Sequence, residues 1–194
     1  MSKPRILAFC GSLRRDSYNH KLAAIAAEGA REAGAEVSLI TLRDFPMPLF
    51  DQDFEDEFGK PHEARRLKEL FLSHQGLIIA SPEYNSGYSA ALKNAIDWVS
   101  RVDSSEEPPI AAFAGKSAVI MAASPGGLGG LRGLVSLRML LGNLGITLLP
   151  DQTVIPVAHQ AFGLDGHLLD PRQESNAKGL GAALANQLKK RIVL

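Results

Sequence analysis

The sequence is poor in the features that mark secreted, membrane-bound or nucleic-acid-binding chains. It holds one cysteine, Cys10, in 194 residues. No disulfide can close within it, and a reducing, cytoplasmic setting is expected. Its hydrophobic runs all fall well short of the roughly 18 residues that a membrane helix needs. Lys plus Arg and Asp plus Glu both total 21, a formal net charge of zero. Without a basic excess, neither nucleic acid nor a membrane surface is an expected partner. The opening "MSKPRILAFCGS" enters an apolar strand at once, with no signal-peptide core. His20, His62, His74, His159 and His167 are scattered, no two at zinc-ligand spacing on a helix, so no metal site is expected.

What is present is ordinary for one globular unit. Hydrophobic residues make up 45% and charged residues 22%, and the length suits a single domain over 1–194. Five apolar runs read as strands: "RILAF" (5–9), "AEVSLI" (35–40), "GLIIAS" (76–81), "SAVIMAA" (117–123) and "ITLLP" (146–150). Helical periodicity falls between and after them, near 18–33, 61–74, 88–101, 131–143 and 173–190. Alternation at this spacing predicts an α/β fold, a parallel sheet covered by helices on both faces. For five strands the flavodoxin-like order 2-1-3-4-5 is expected, with a ligand crevice beyond the strands' carboxyl ends. Two connections are long, Leu42–Lys60 and Arg101–Lys116. The acidic run "DQDFEDE" (51–57) is expected in a solvated loop. Phe45, Met47, Leu49, Phe50, Phe54 and Phe58 give the Leu42–Lys60 connection an apolar surface that a partner chain could cover.

Three loops fall at the carboxyl end of this sheet. The first, "GSLRRDSYN", offers Gly11 for close backbone approach, the Ser12 and Ser17 hydroxyls, the Asn19 amide, and Arg14 or Arg15 as cation. It leads into a helix N-terminus, whose unpaired N–H groups favour an anion. Ser17 or Asn19 can equally be a plain N-cap. The second loop, "SPEYNSG" (81–87), is polar and turn-forming after an apolar strand, and its backbone could meet the edge of a flat heterocycle with Tyr84 nearby. In the helix that follows, Asp97 and Arg101 can pair at i, i+4, and Trp98 and Tyr88 read as packing residues. The third loop, "SPGGLGGLRG" (124–133), has five glycines in ten residues, so its backbone can touch a ligand. It is not a dinucleotide G-x-G-x-x-G, because counting from Gly127 the last position is Arg132. Nor is "IAAFAGKS" a Walker A motif, since Ile110 takes the first glycine position. Cys10, between an apolar strand and Gly11, reads as a small buried hydrophobe.

"GSLRRDSYNHKLA", "SPEYNSGYSAALKNAIDWVSR" and "SPGGLGGLRG" resemble the signature segments of the NADPH-dependent FMN reductases, a flavodoxin-like family that includes quinone, azo-dye and chromate reductases. The likeness spans essentially the whole chain, departing at Ser86–Ala90, where relatives often carry a proline turn. The resemblance implies bound FMN, with its phosphate on Ser12, Arg14, Ser17 and Asn19. It places the isoalloxazine ring against Pro82, Glu83, Tyr84 and Asn85, and Ser124 and Gly127 beside the flavin. It also implies NADPH or NADH as co-substrate, a small-molecule acceptor such as a quinone, azo compound, metal oxyanion or free flavin, ping-pong transfer, and a homodimer or homotetramer. No catalytic acid or base is expected, because positioning the two rings is the protein's part. The alternative is a flavodoxin-type electron carrier, or a flavin-binding redox protein without its own substrate. Zero net charge and the arginines of the first loop favour the enzyme.

Overall fold

The three loops are brought together by strand order. The structure, a computed structural model, describes residues 3–192. Its strands are β1 (Arg5–Cys10), β2 (Glu36–Thr41), β3 (Gly76–Ala80), β4 (Ser117–Ala123), β5 (Thr147–Leu148) and β6 (Thr153–Ile155). They form one parallel sheet ordered β2-β1-β3-β4-β5, with β6 also on β4. This is the expected order, with one difference at the edge. The run at 146–150 pairs over only two residues, Thr147 and Leu148. The chain then returns to β4 at Thr153. Arg138 holds the excursion, donating to the carbonyls of Leu149 (3.0 Å) and Pro150 (3.4 Å).

The helices are α1 (Tyr18–Glu32), α2 (Gln52–Phe58), α3 (His62–Ser73), α4 (Ala90–Ser100), α5 (Leu131–Asn143) and α6 (Pro171–Ile192). Alternation along the buried strands sorts them into two layers. Ile6, Ala8, Ile78, Val119 and Met121 face α1 and α6. Leu7, Phe9, Leu77, Ile79 and Ile120 face α3, α4 and α5. α1 and α6 cross so closely that a Cβ at Gly181 would fall 1.8 Å from the Ala26 carbonyl oxygen.

Three local readings need correction. The acidic run at 51–57 is helical, not a loop: Asp51 caps α2, its side chain accepting from the Asp53 N–H (2.9 Å). Asp97 pairs with Lys93, one turn earlier, while Arg101 reaches Glu55 on α2 at 2.6 Å. The long 42–60 connection mostly covers itself. Phe45 is buried, and Phe50 and Phe54 pack edge-on against buried Trp98, whose indole donates to Pro48 O (2.8 Å). Of its apolar set only Leu49 and Phe58 are exposed, and Met47, Phe50 and Phe54 are half-buried.

The other long connection is fastened by buried charge. Lys60 and Lys68 both donate to Arg101 O, at 2.7 and 2.6 Å. Lys60 also meets Asp103 at 2.5 Å, and Lys68 meets Glu107 at 2.6 Å and Asp103 at 3.0 Å. Burial alone would push both carboxyls up, but the ammonium groups outweigh it and hold Asp103 and Glu107 below their ordinary values of 3.8 and 4.5. A carboxyl depressed in the folded state gives stability that is complete above its unfolded value and fades as pH falls through the folded one. Melting temperature should therefore drop on acidification below about pH 4.5, and less steeply in Lys68→Met, which has already lost the pairing. Parallel acid limbs for the two proteins in thermal denaturation would show that the network carries no linkage.

Candidate functional site

The carboxyl ends of β1, β3 and β4 open into a recess of about 70 Å³, lined by residues of all three loops. Ser12, Arg14, Ser17, Asn19, Pro82, Glu83, Tyr84 and Ser124, all expected at a site, line it. Tyr18, Ala123 and Pro125, which the sequence did not single out, complete the wall. Gly11, Asn85 and Gly127 lie outside the lining. Gly11 sits under α4: a Cβ there would be 2.9 Å from both Leu92 Cβ and Ser89 Oγ, and the Ser89 hydroxyl donates to Gly11 O at 2.5 Å. Gly127 is exposed, with nothing within 4 Å of where its Cβ would be.

Each loop is locked by one side chain. Ser17 caps α1, accepting from the His20 N–H (3.3 Å). Asn19 is buried, its amide N–H donating to Ala123 O (2.8 Å) and its oxygen accepting the Ala123 N–H (2.9 Å). The first loop is thereby pinned to the end of β4, 104 residues away. Asn85 and Ser86 adopt positive φ, 51° and 66°, as a two-residue turn closed by Tyr84–Gly87 backbone bonds of 2.9 and 3.1 Å. This turn leaves Tyr84 exposed at the rim. Glu83 joins the second loop to the third. Its carboxylate accepts from the Gly133 N–H (3.1 Å), in the first turn of α5, and pairs with Arg132 at 2.5 Å. Burial pushes this carboxyl up, but the Gly133 N–H and the Arg132 guanidinium more than reverse it. The residue that spoils the dinucleotide motif, Arg132, is thus the ion-pair partner of Glu83.

The recess suits a phosphate. Ser12 and Ser17 are buried, and each hydroxyl already accepts a backbone N–H, from Arg14 (3.2 Å) and His20. Their own hydrogens remain free to donate. The α1 N-terminus adds unpaired N–H groups. Neighbouring carboxylates are neutralised, Glu83 by Arg132 and Asp16 by Lys21 at 2.6 Å. Arg14 lies over the Tyr18 ring, 5.5 Å from its centre, and has no ion pair among the described residues. Cys10 is buried behind the loop, its thiol pushed up by burial, as a packing residue rather than a thiolate. No helix is long and apolar enough to cross a membrane, among the described residues.

A flavodoxin-like sheet with a hydroxyl, guanidinium and helix-terminus cup at its switch point defines a mononucleotide-binding α/β protein. The comparisons narrow this. The model of the family described as NADPH-dependent FMN reductase matches residues 4–160, and the chain belongs to that family. An NAD(P)H-dependent FMN reductase of Pseudomonas aeruginosa is 36% identical over 169 residues, 87% of this chain and 86% of that one. A quinone reductase of Escherichia coli is 34% identical over 139 residues, 72% of this chain and 70% of its own. Among solved structures, FerB of Paracoccus denitrificans, a flavoenzyme NAD(P)H:(acceptor) oxidoreductase, superposes with a TM-score of 0.77 at 25% identity, covering 96% of this chain and 98% of FerB. The family makes the chain an oxidoreductase that uses FMN and NAD(P)H.

Replacing Asn19 by Ala would strand the N–H and C=O of Ala123 in a buried setting, at about 1–3 kcal/mol for each. Asn19→Ala should lower the melting temperature by several degrees and loosen the site. An unchanged melting curve would mean that the Asn19 clamp carries no weight.

Proposed function

We propose that this chain, one domain over 1–194, is a cytoplasmic FMN-dependent NAD(P)H oxidoreductase that reduces a small acceptor of the quinone class by a ping-pong route. The observation that carries the reading is the recess itself, whose lining brings the anion donors Ser12, Ser17 and Arg14 together with the exposed Tyr84 and Pro125. FMN, when bound, would supply the two-electron redox chemistry that links NAD(P)H to the acceptor.

The chain's residues do the rest. Ser12, Ser17 and Arg14 hold the phosphate, with the first N–H groups of α1 behind them. Asn19 and Gly11 shape the loop, since their polar groups and space are taken up by Ala123, Ser89 and Leu92. The Pro82–Glu83–Tyr84 segment and Ser124, which line the recess, would border the ring, with Asn85 and Gly127 on the same loops just outside that lining. The Glu83 carboxylate is engaged by Arg132 and Gly133, so it fixes the loop and is not a proton donor. The Escherichia coli relative is a quinone reductase, which supports a quinone as acceptor; an azo compound, a metal oxyanion and free flavin are the other candidates. No observation favours the electron-carrier alternative.

The purified protein should be yellow and should bleach rapidly on anaerobic addition of NADPH or NADH; a colourless protein that takes up no FMN would end this reading. Arg14→Ala should weaken FMN by about 10- to 150-fold, or roughly 1.5–3 kcal/mol, with the fold intact. Unchanged affinity in a titration of apo-protein would remove the phosphate assignment.

Association as a homodimer or homotetramer belongs to the same reading, and its support shifts from the 42–60 connection to α5. Leu131, Val135 and Met139, spaced four apart on one helix face, are 42%, 67% and 67% exposed, and Leu128 of the third loop extends the stripe. Val135→Glu should turn the assembly into monomers by light scattering at micromolar concentration. A wild-type monomer, or an oligomer indifferent to the change, would refute this face.

A further inference from the structure

On the far side of the first loop, between it and the end of β2, lies a second cleft of about 250 Å³. Ser12, Arg14, Arg15, His20, Thr41 and Arg43 line it. Ser12 and Arg14 also wall the phosphate recess, so the two cavities share a partition. Three guanidinium groups therefore surround one cleft in a chain whose net charge is zero. Among the described residues none of them pairs with a carboxylate, and the nearby Asp16 is taken by Lys21. Arg43 uses one N–H on Leu13 O (2.9 Å), leaving the rest of its fork free. Thr41 Oγ1 accepts the Arg43 backbone N–H (3.3 Å) and keeps its own hydrogen to donate. His20 Nδ1 is buried with no hydrogen-bond partner among the described residues. Like charges gathered around a cleft repel one another until an anion lies between them.

The anion that fits is a phosphate monoester, close to doubly charged and matched by the planar guanidinium fork. The phosphate recess next door already has its own donors, so this cleft serves a second phosphate. We propose that it seats the 2′-phosphate of NADPH, and that Arg43 and Arg15 make the enzyme prefer NADPH to NADH. The proposal rests on the FMN reading, since the nicotinamide end of the same molecule must reach a flavin in the adjoining recess. NADH presents a hydroxyl at that position and gains nothing from the arginines.

Calorimetric titration of the FMN-loaded protein with adenosine 2′,5′-bisphosphate and with adenosine 5′-monophosphate tests it. The bisphosphate should bind at least about tenfold more tightly. Arg43→Gln, which keeps a donor for Leu13 O but no charge, should remove most of that preference. It should also lower kcat/KM for NADPH by about tenfold or more, with that for NADH held within about twofold and FMN retained. Arg15→Gln, at a side chain with no hydrogen bond among the described residues, should act in the same direction without touching Leu13. Equal binding of the two nucleotides, or equal loss of NADPH and NADH activity in both variants, would overturn the assignment. Release of FMN by Arg43→Gln would also overturn it, by making the cleft the flavin phosphate site. A wild-type protein that takes up no FMN yet still prefers the bisphosphate would defeat the FMN reading and leave the cleft's specificity standing.

Discussion

The Asn19 amide gives β4 what a neighbouring strand would give: one donor and one acceptor, both to Ala123. That pairing fixes where α1 begins relative to the end of the sheet, and the cup for an anion depends on it. A helix N-terminus can bind phosphate only if its free N–H groups point into a closed space. Ser17 sets the start of α1, and Asn19, two residues on, anchors that start to the one strand whose own loop forms the opposite wall. Two further clamps complete the enclosure. The Ser89 hydroxyl, capping α4, binds back to Gly11 O, and Glu83 ties the second loop to the first turn of α5. Each helix that starts at this edge is thus held by a side chain that also touches another loop, which makes the site rigid although it is built of loops.

The architecture was legible because its signals are additive. Short apolar runs at β1, β3 and β4, helical spacing between them and turn residues at each junction all point to one α/β sheet, and a single miscount does not change that. The failures lie where a local pattern was outvoted by a distant partner. The acidic run at 51–57 looked like a solvated loop because its charges are dense. Asp51 is in fact an N-cap, and Glu55 is held by Arg101, 46 residues later. Likewise the i, i+4 pairing of Asp97 with Arg101 was sound helix arithmetic, but Lys93 was on the same face and α2 offered Arg101 a carboxylate.

The site was legible as a set of residues and less so as a set of roles. Eight of the residues expected there line one recess, because the motif order follows the strand order. Spacing cannot say which polar groups are already satisfied. Asn19 and Glu83 look like ligands on the page of sequence, yet their polar atoms are engaged by Ala123, Gly133 and Arg132. Ser12 and Ser17 look equally polar and retain a free hydrogen. The difference lies in tertiary hydrogen bonds 49 to 104 residues apart, which no local window contains.

The distribution of arginine makes the same point for charge. Arg66, Arg101 and Arg132 are matched by Glu63, Glu55 and Glu83, and Arg31, Arg65 and Arg138 donate to backbone carbonyls. Arg14 and Arg15 do neither among the described residues, and Arg43 reaches only Leu13 O. A chain with zero net charge therefore gathers three guanidinium groups that have no carboxylate partner among the described residues on the two sides of one loop. Side-chain pairing falls off within a Debye length of about 8 Å, so the matched pairs add little to the potential at the loop, whereas three unmatched guanidinium groups within one cleft add together. Composition averages this away, which is why a sequence of zero net charge can still gather positive charge at one loop.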